Sequence, residues 1–489
     1  MIERAGYLGL DLGGTGVKAG VFDESGRLLG FARRSCSAIV TPDGHSEVFI
    51  EDIERAARDA CAESVRAASI KIRAVSVASQ GQTFVSLDER GRPLHPAIMW
   101  YDSRAGEQAD RLRKSLKSLV PPSQVPVIEA ITVAPKVMWL REHHPDLMSR
   151  ASRHLLLPDY ISLILTGLAF TDVATASSTG LYVEDAPDYS SEALETAGIP
   201  KDALAEIRPP GTRITHIRPE IADEWGLDAD TVFVSGTNDQ YAGALGAGNC
   251  RPRILSETTG TCLALVTLTE KLPDALPPGL FGGRFPIARY QFALAYIKTA
   301  GLVLDWFVKE FCSDISLADL DSMAAGISPG SRGITVLPDF DGMVSPKPNP
   351  DARGTISGLT LAHGRADIYR AILESLAFGL RENVELMRSV GLLLETVRLI
   401  GGGAKSDLWC QIKADVLGMP MERPAVPEAA VLGAAMLAAA GAGAFGSIAE
   451  AVDSMYQPGR IFQPCQKVEQ DYDLAYKTYL EVSAAVYGN

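Results

Sequence analysis

The first residues with chemistry in their spacing are Asp11, Gly13, Gly14, Thr15 and Gly16, in the stretch LGLDLGGTGVKAGVFD from Leu8 to Asp23. A carboxylate at the tip of an apolar strand, beside a bend built of glycine, suits the binding of an anion through a hydrated cation. Consecutive backbone N–H groups of such a bend can point at a phosphate. Glycine lets the backbone come close, and Thr15 adds a hydroxyl donor. Asp11 cannot face a phosphate directly, but it can do so across Mg²⁺, which favours one or two carboxylates plus waters and phosphates.

Three glycine-rich devices compete for this stretch. A P-loop requires GxxxxGK[ST], and Thr15 stands where the lysine should be. A dinucleotide fingerprint can be laid on Gly14, Gly16 and Ala19, but it needs a helix to start there. Val17–Phe22 reads as a strand instead. The turn Asp23–Arg27 and another extended run, Leu28–Arg33, follow. That leaves a tight hairpin, whether phosphate-binding or merely structural. A second copy favours the first: SETTGTCLALV from Ser256 places Glu257, Gly260 and Thr261 on Asp11, Gly14 and Thr15 when slid by 246 positions. Two acid-x-x-Gly-Thr hairpins half a chain apart point to a duplicated domain.

Other segments carry polar chemistry. HPAIMWYDSRA brings Trp100, Asp102 and Arg104 together after an apolar strand end. An indole face beside fixed charges suits a polyhydroxylated ligand, and it equally fits an ion pair beside a core tryptophan. Asp239 follows the strand Thr231–Val234 and opens a Gly/Ala-rich helix. There the helix dipole stabilises a negative charge, and an aspartate can also serve as a plain N-cap. Gly401-Gly402-Gly403 lies between a strand and a helix whose N-cap is expected at Ser406. A flat ligand such as a nucleotide base or ribose can be approached closely by that backbone.

The elements that must position these residues are those of an α/β protein. The 489 residues exceed one core, and NCRPRI at Asn249–Ile254 marks a boundary, giving domains 1–248 and 249–489. Ile368, Ile372, Leu376, Leu380 and Val384 form an apolar stripe on one long helix. A hairpin with its turn at Asp88-Glu89-Arg90-Gly91 is expected. Val431–Phe445, mostly alanine and glycine, is too weakly hydrophobic to span a bilayer and reads as a helix packed closely on a neighbour. A net charge of −14 argues against nucleic acid or an anionic membrane as the main partner. Seven scattered cysteines without a CxxC fit reduced thiols in the cytoplasm. The adjacent His143-His144 lacks the partners of a zinc site, and the N-terminus lacks a signal peptide's apolar run.

Taken together, LGLDLGGTGVKAGVFD, WYDSRA, GTNDQYAGALGAG, TTGTCLAL, PNPDARGTISGLTLAH and LIGGGAKSDLWCQIKADVLGMPMERP resemble the FGGY carbohydrate kinases, in the expected order from Tyr7 to Ala440. The Gly401–Pro420 block is the most specific of them. The resemblance implies a two-domain fold of the actin/hexokinase/Hsp70 (ribonuclease H-like) type with an interdomain active-site cleft. It implies ATP-dependent phosphorylation of a sugar or polyol hydroxyl by a cytoplasmic enzyme, with small molecules as partners and a homodimer as the candidate assembly. Asp11 would help hold Mg²⁺, directly or through water. ATP would meet Gly13, Gly14, Thr15 and Lys18 on one hairpin and Gly260 and Thr261 on the other, with Gly301, Gly402, Gly403, Ala404 and Asp407. Asp239 matches the catalytic base. Gly81, Gln82, Trp100, Asp102, Asp239 and Gln240 fall in substrate segments.

One departure bears on specificity. Xylulokinases carry Met-His, and glycerol kinases Arg-Glu, where this chain has Gly81-Gln82 after Gln80. The Gln82 amide both donates and accepts, which suits a neutral polyol. No cluster of basic residues in these segments awaits an acidic sugar. The expectation is a ketose such as a pentulose, with glycerol or another polyol, or a non-catalytic ATP and sugar sensor, as the alternatives.

Overall fold

The computed structural model describes residues 5–120, 126–183 and 188–488. They divide into two compact units. The first takes the chain through Gly248 with Arg284–Ala288 and Ala429–Tyr456, and the second takes Asn249–Gly283, Arg289–Glu428 and Gln457–Asn489.

In the first unit the positioning elements are β1 (Ala5–Gly13), β2 (Gly16–Phe22), β3 (Leu28–Ser35), α1 (Ile50–Ala68), β4 (Lys71–Ser79), α2 (Val133–His143), α3 (Val173–Ser177), β5 (Arg213–His216), β6 (Val232–Val234), β7 (Thr237–Asn238) and α4 (Asp239–Gly246). The sheet runs β5-β6-β4-β1-β2-β3, with β7 also paired to β4. β1 is antiparallel to β2 and parallel to β4. Its side chains from Tyr7 to Leu12 are all buried, so β1 reads as a continuous apolar run rather than an alternating one. The hairpin expected at Asp88–Gly91 is present, closed by Gly91 N–H donating to the Asp88 carbonyl at 2.9 Å.

The second unit contains β8 (Arg253–Thr259), β9 (Leu263–Thr269), β10 (Phe281–Arg284), β11 (Gln291–Ile297), α5 (Gly301–Phe311), α6 (Arg365–Ser389), β12 (Leu394–Gly401), α7 (Asp407–Leu417), β13 (Met421–Arg423) and β14 (Arg460–Phe462). Its sheet runs β10-β11-β9-β8-β12-β13-β14. The duplication inferred from two short hairpins is therefore a duplication of topology. In each unit three antiparallel strands lead to a parallel pair, β3-β2-β1-β4-β6 in the first and β11-β9-β8-β12-β13 in the second. On α6, Ile372, Leu376, Leu380 and Val384 are buried in one core.

The helix α8 (Ala429–Gly441) belongs to the first unit although it follows β13. The compact units are thus not the contiguous halves 1–248 and 249–489. The reason is in α8 itself, which is apolar on every face and must be covered all round. Its backbone lies almost against β1 and α4: a Cβ on Gly9 would stand 2.0 Å from the Val431 carbonyl oxygen, and one on Gly433 would stand 1.9 Å from that of Ala242. This is the close packing that the alanine and glycine content predicts. Among the described residues no helix is long and apolar enough to cross a membrane.

Candidate active site

The first hairpin closes at the pair Gly13 and Gly16, leaving Gly14-Thr15 as an exposed two-residue turn. Gly16 is required by its surroundings, because a Cβ there would stand 2.2 Å from the Arg34 carbonyl oxygen on β3. Asp11 lies opposite Lys18, with the ammonium 3.9 Å from a carboxylate oxygen. Only 8% of Asp11 is exposed. Among the described residues no group of three or more His, Cys, Asp or Glu could hold a metal. A single, shielded carboxylate beside a glycine turn, paired with Lys18, still fits Mg²⁺, which takes its remaining ligands from waters and phosphates.

β4 runs parallel to β1, and Gln80, just past its end, donates its N–H to the Leu12 carbonyl at 3.1 Å. The segment Gln80–Thr83 is thereby held beside the hairpin. The Gln80 Oε1 is buried without a hydrogen-bond partner among the described residues. It lies 3.1 Å from where a Cβ of Gly14 would stand, and the Trp100 indole nitrogen lies 3.7 Å from the same point. Gln82 has φ of 54°, a left-handed conformation uncommon outside glycine. The Trp100 N–H donates to Thr83 Oγ1 at 2.9 Å, tying the two segments.

Asp102 is not a surface group. Its oxygens accept from Arg104 Nε at 2.8 Å, Arg104 Nη2 at 2.9 Å and the Ser46 N–H at 2.6 Å. The side chains of Arg104 and Asp102 are 3% and 2% exposed. Burial pushes the Asp102 pKa up, but the hydrogen bonds from Arg104 and Ser46 outweigh it and hold the carboxyl below its usual range. Arg104 also reaches Glu47 and lies over the Trp139 ring.

β7 pairs with β4 and delivers Asp239 as the first residue of α4. The cap of this helix is Asn238, whose side-chain oxygen accepts from the Gln240 N–H at 3.0 Å. Asp239 is therefore not consumed in capping. Burial pushes its carboxyl up to about 6, opposed by the Gln240 N–H and side-chain amide. A Cβ on Gly81 would lie 3.3 Å from Asn238 Nδ2, so the glutamine segment and the Asp239 turn are neighbours. Gln240 Oε1, like that of Gln80, is buried without a partner among the described residues. Each of these unsatisfied amide oxygens, one beside Gly14 and one on the residue after Asp239, can accept from a ligand that brings hydroxyl donors.

The second unit gathers the other set. Gly260 and Thr261 form the tip between β8 and β9, and α5 begins against it, with the Gly301 N–H donating to the Gly260 carbonyl at 3.0 Å. A Cβ on Gly301 would stand 2.1 Å from that oxygen. Gly401, with φ of 83°, ends β12 beside Thr259, and a Cβ on Gly403 would collide with Thr259 and Trp409. Ser406 caps α7 as expected, accepting from the Trp409 N–H at 3.1 Å. Gly260 and Gly402 differ from these: nothing lies within 4 Å of the missing Cβ of Gly260, and only the Thr259 carbonyl, at 3.7 Å, near that of Gly402. The fold does not demand glycine at either place. A cavity of about 310 Å³ beside Gly401 is lined by Ala404, Lys405 and Arg423 among others. Asp407 is half-exposed and ion-paired to Arg423 at 2.8 Å and to Arg460.

The sequence reading missed Gln80, Lys136 and Ser178. Gln80 was legible only as the flank of Gly81-Gln82, and its orphaned oxygen is a tertiary fact. Lys136 and Ser178 lie far along the chain, and their contacts with Gln82 could not be read from spacing.

The N-terminal domain model of the FGGY family of carbohydrate kinases matches residues 6–246, and the C-terminal domain model matches residues 258–442. The chain belongs to this family. It is a carbohydrate kinase, and membership implies the use of ATP. The chain is 28% identical to a xylulose kinase of Bacillus subtilis over 484 residues, covering 97% of this chain and 96% of that one. It is 31% identical to a glycerol kinase of Polaromonas naphthalenivorans, with 94% of each covered. Among solved structures, a xylulose kinase from Rhodospirillum rubrum superposes with a TM-score of 0.85 at 25% identity, covering 99% of both chains.

Proposed function

We propose that this kinase transfers the γ-phosphoryl group of ATP to a hydroxyl of a ketose, a pentulose of the xylulose type, with Asp239 as the general base. The observation that carries the reading is the state of Asp239. Its capping duty is taken by Asn238, its carboxyl is raised to about 6 by burial, and the Asn238 that precedes it lies against Gly81. A base with that pKa is ionised at neutral pH and close enough to it to take a proton well. Phosphoryl transfer needs little covalent help beyond alignment and charge stabilisation. Asp239 would accept the proton of the attacking hydroxyl. Gln80 and Gln240 would orient the sugar by accepting from its other hydroxyls, Gln82 would contribute its amide, and Trp100 would offer a face. Asp102, already saturated by Arg104 and Ser46, would hold that segment in place.

The ATP phosphates would lie on the N–H groups of Gly13, Gly14 and Thr15 and of Gly260 and Thr261, with Lys18 supplying positive charge. Gly301, Gly402, Gly403, Ala404 and Asp407 would border the adenosine. Asp11 would hold Mg²⁺, which supplies charge neutralisation to the phosphates. Kinship with xylulose kinases supports the pentulose. The Asp239-Gln240 pair and the glycerol kinase relative support a polyol as the second reading. A coupled ADP-release assay across pentuloses, hexuloses, glycerol and four-carbon polyols decides between them. Turnover on a pentulose well above that on glycerol is expected, and the reverse would overturn the assignment.

A further inference from the structure

Lys136 is a lysine with no exposed surface, in the first turn of α2. No carboxylate stands within ion-pair distance of its ammonium among the described residues. It donates to two backbone carbonyls instead, that of Met99 at 2.8 Å and that of Gln82 at 3.4 Å. A buried ammonium held by neutral acceptors is costly, and burial lowers its pKa to about 7, with the nearby Arg104 also lowering it and Asp102 opposing. The carbonyls it holds belong to the two segments that flank the sugar position. Met99 immediately precedes Trp100, and Gln82 is the residue forced to φ of 54°. Gln82 is also fastened from its other side, its N–H donating to Ser178 Oγ at 3.3 Å.

We propose that Lys136 is a positioning residue for sugar specificity: its ammonium staples the Gln82 and Met99 carbonyls and so fixes the left-handed turn that aims the Gln82 side chain relative to Trp100. This rests on the sugar reading given above. The second acceptor is the carbonyl of Gln82 itself, so the ammonium acts directly on the residue with the left-handed backbone. Ser178 completes the staple, so Gln82 is held at both its N–H and its carbonyl.

The test compares Lys136→Met, Lys136→Gln, Ser178→Ala and Gln82→Ala in the full-length enzyme, measuring KM for the best sugar, KM for ATP, preference across the sugar panel, and melting temperature. Lys136→Met keeps the length and removes the donors. It is expected to raise sugar KM by about tenfold or more, the usual weight of charge-assisted hydrogen bonds, and to flatten sugar preference, with ATP KM within about twofold. Lys136→Gln keeps donors on a stem one atom shorter and cannot reach both carbonyls, so a rise of at least about threefold is expected. It carries the test alone if the methionine variant does not fold. Lys136→Met combined with Ser178→Ala should be non-additive in sugar KM, because both act on Gln82. Unchanged sugar KM and preference in a folded Lys136 variant, whatever its melting temperature, overturns the proposal, provided that Gln82→Ala does shift them. If Gln82→Ala also leaves them unchanged, the sugar reading itself falls.

Discussion

Glu257 and Lys413 form an ion pair 3.0 Å long with both side chains fully buried. The same ammonium donates to Thr259 Oγ1 at 3.0 Å and lies 4.1 Å from the centre of the Trp409 ring. Glu257 is the residue that sequence alignment places on Asp11, yet the two acids stand in different surroundings. Asp11 has a lysine at 3.9 Å and some access to solvent, whereas Glu257 is closed off from it. The acid of the second hairpin is therefore structural, and it ties β8 to α7 beneath the Gly401–Gly403 turn.

Removing one partner of such a pair leaves an uncompensated buried charge. Lys413→Met is expected to destabilise the protein by about 3–5 kcal/mol, whereas adding Glu257→Gln should recover a good part of that loss. Denaturant unfolding of the wild type, the single variant and the double variant gives the answer. A single variant within about 1 kcal/mol of wild type would show that the pair carries little.

Much of this architecture was legible before the structure. The hairpins at Gly13–Gly16 and Gly260–Cys262, the stripe on α6, the cap at Ser406 and the helix at Asp239 all follow from local rules, because glycine, β-branched runs and apolar periodicity act over a few residues. What was not legible is long-range. Nothing in Ala429–Gly441 says which core it joins; only the bare backbones of Gly9 and Gly246 against it, and of its own Gly433 against Ala242, settle that. The capping at Asn238 rather than Asp239 depends on a rotamer. Lys413 reads as one more mark of helical period until its partner, 156 positions away, is known.

The contact between α8 and β1 predicts a severe outcome at Gly9. Gly9→Ala places a Cβ 2.0 Å from the Val431 carbonyl oxygen, which is backbone and cannot step aside without moving the helix. A loss of more than about 3 kcal/mol, or no soluble protein, is expected. Gly391→Ala serves as the comparison, since its left-handed φ of 85° costs strain but nothing lies within 4 Å of its missing Cβ. Equal losses at the two sites would show that the close approach at Gly9 is unimportant.

Asp239 links activity, pH and stability. As a base it must be ionised, so kcat/KM for the sugar should fall as pH drops through about 6. The sign for stability is opposite. A carboxyl raised from 3.8 to about 6 in the folded state binds its proton more tightly there than when unfolded, so folding stability falls as pH rises across that window. Asp239→Asn removes this penalty and should raise stability at pH 7 by about 1–3 kcal/mol, while turnover falls by roughly 10²–10⁴-fold. ATP affinity should be little changed. A variant that melts higher yet turns over at the wild-type rate would remove Asp239 from the chemistry.

Gly260 and Gly402 separate a glycine kept for the fold from one kept for a ligand. An added methyl group meets nothing within 4 Å at Gly260 and only an ordinary contact of 3.7 Å at Gly402. Neither residue has a left-handed φ. Alanine should therefore be accepted by the folded protein at both, with melting temperatures within a degree or two of wild type, about the shift of a surface change. If phosphate oxygens approach the Gly260 tip and the ribose approaches Gly402, the same methyl group intrudes on the nucleotide. ATP KM should then rise by about tenfold or more in each variant, the equivalent of losing one well-placed hydrogen bond, with sugar KM measured at saturating ATP nearly constant. Gly403→Ala is the contrasting case: its Cβ would stand 2.6 Å from Thr259 Cβ, so melting temperature and ATP KM should suffer together. Unchanged ATP KM in both Gly260→Ala and Gly402→Ala would mean that the open space at these glycines is not where ATP binds, and the nucleotide residues would have to be sought elsewhere in the chain.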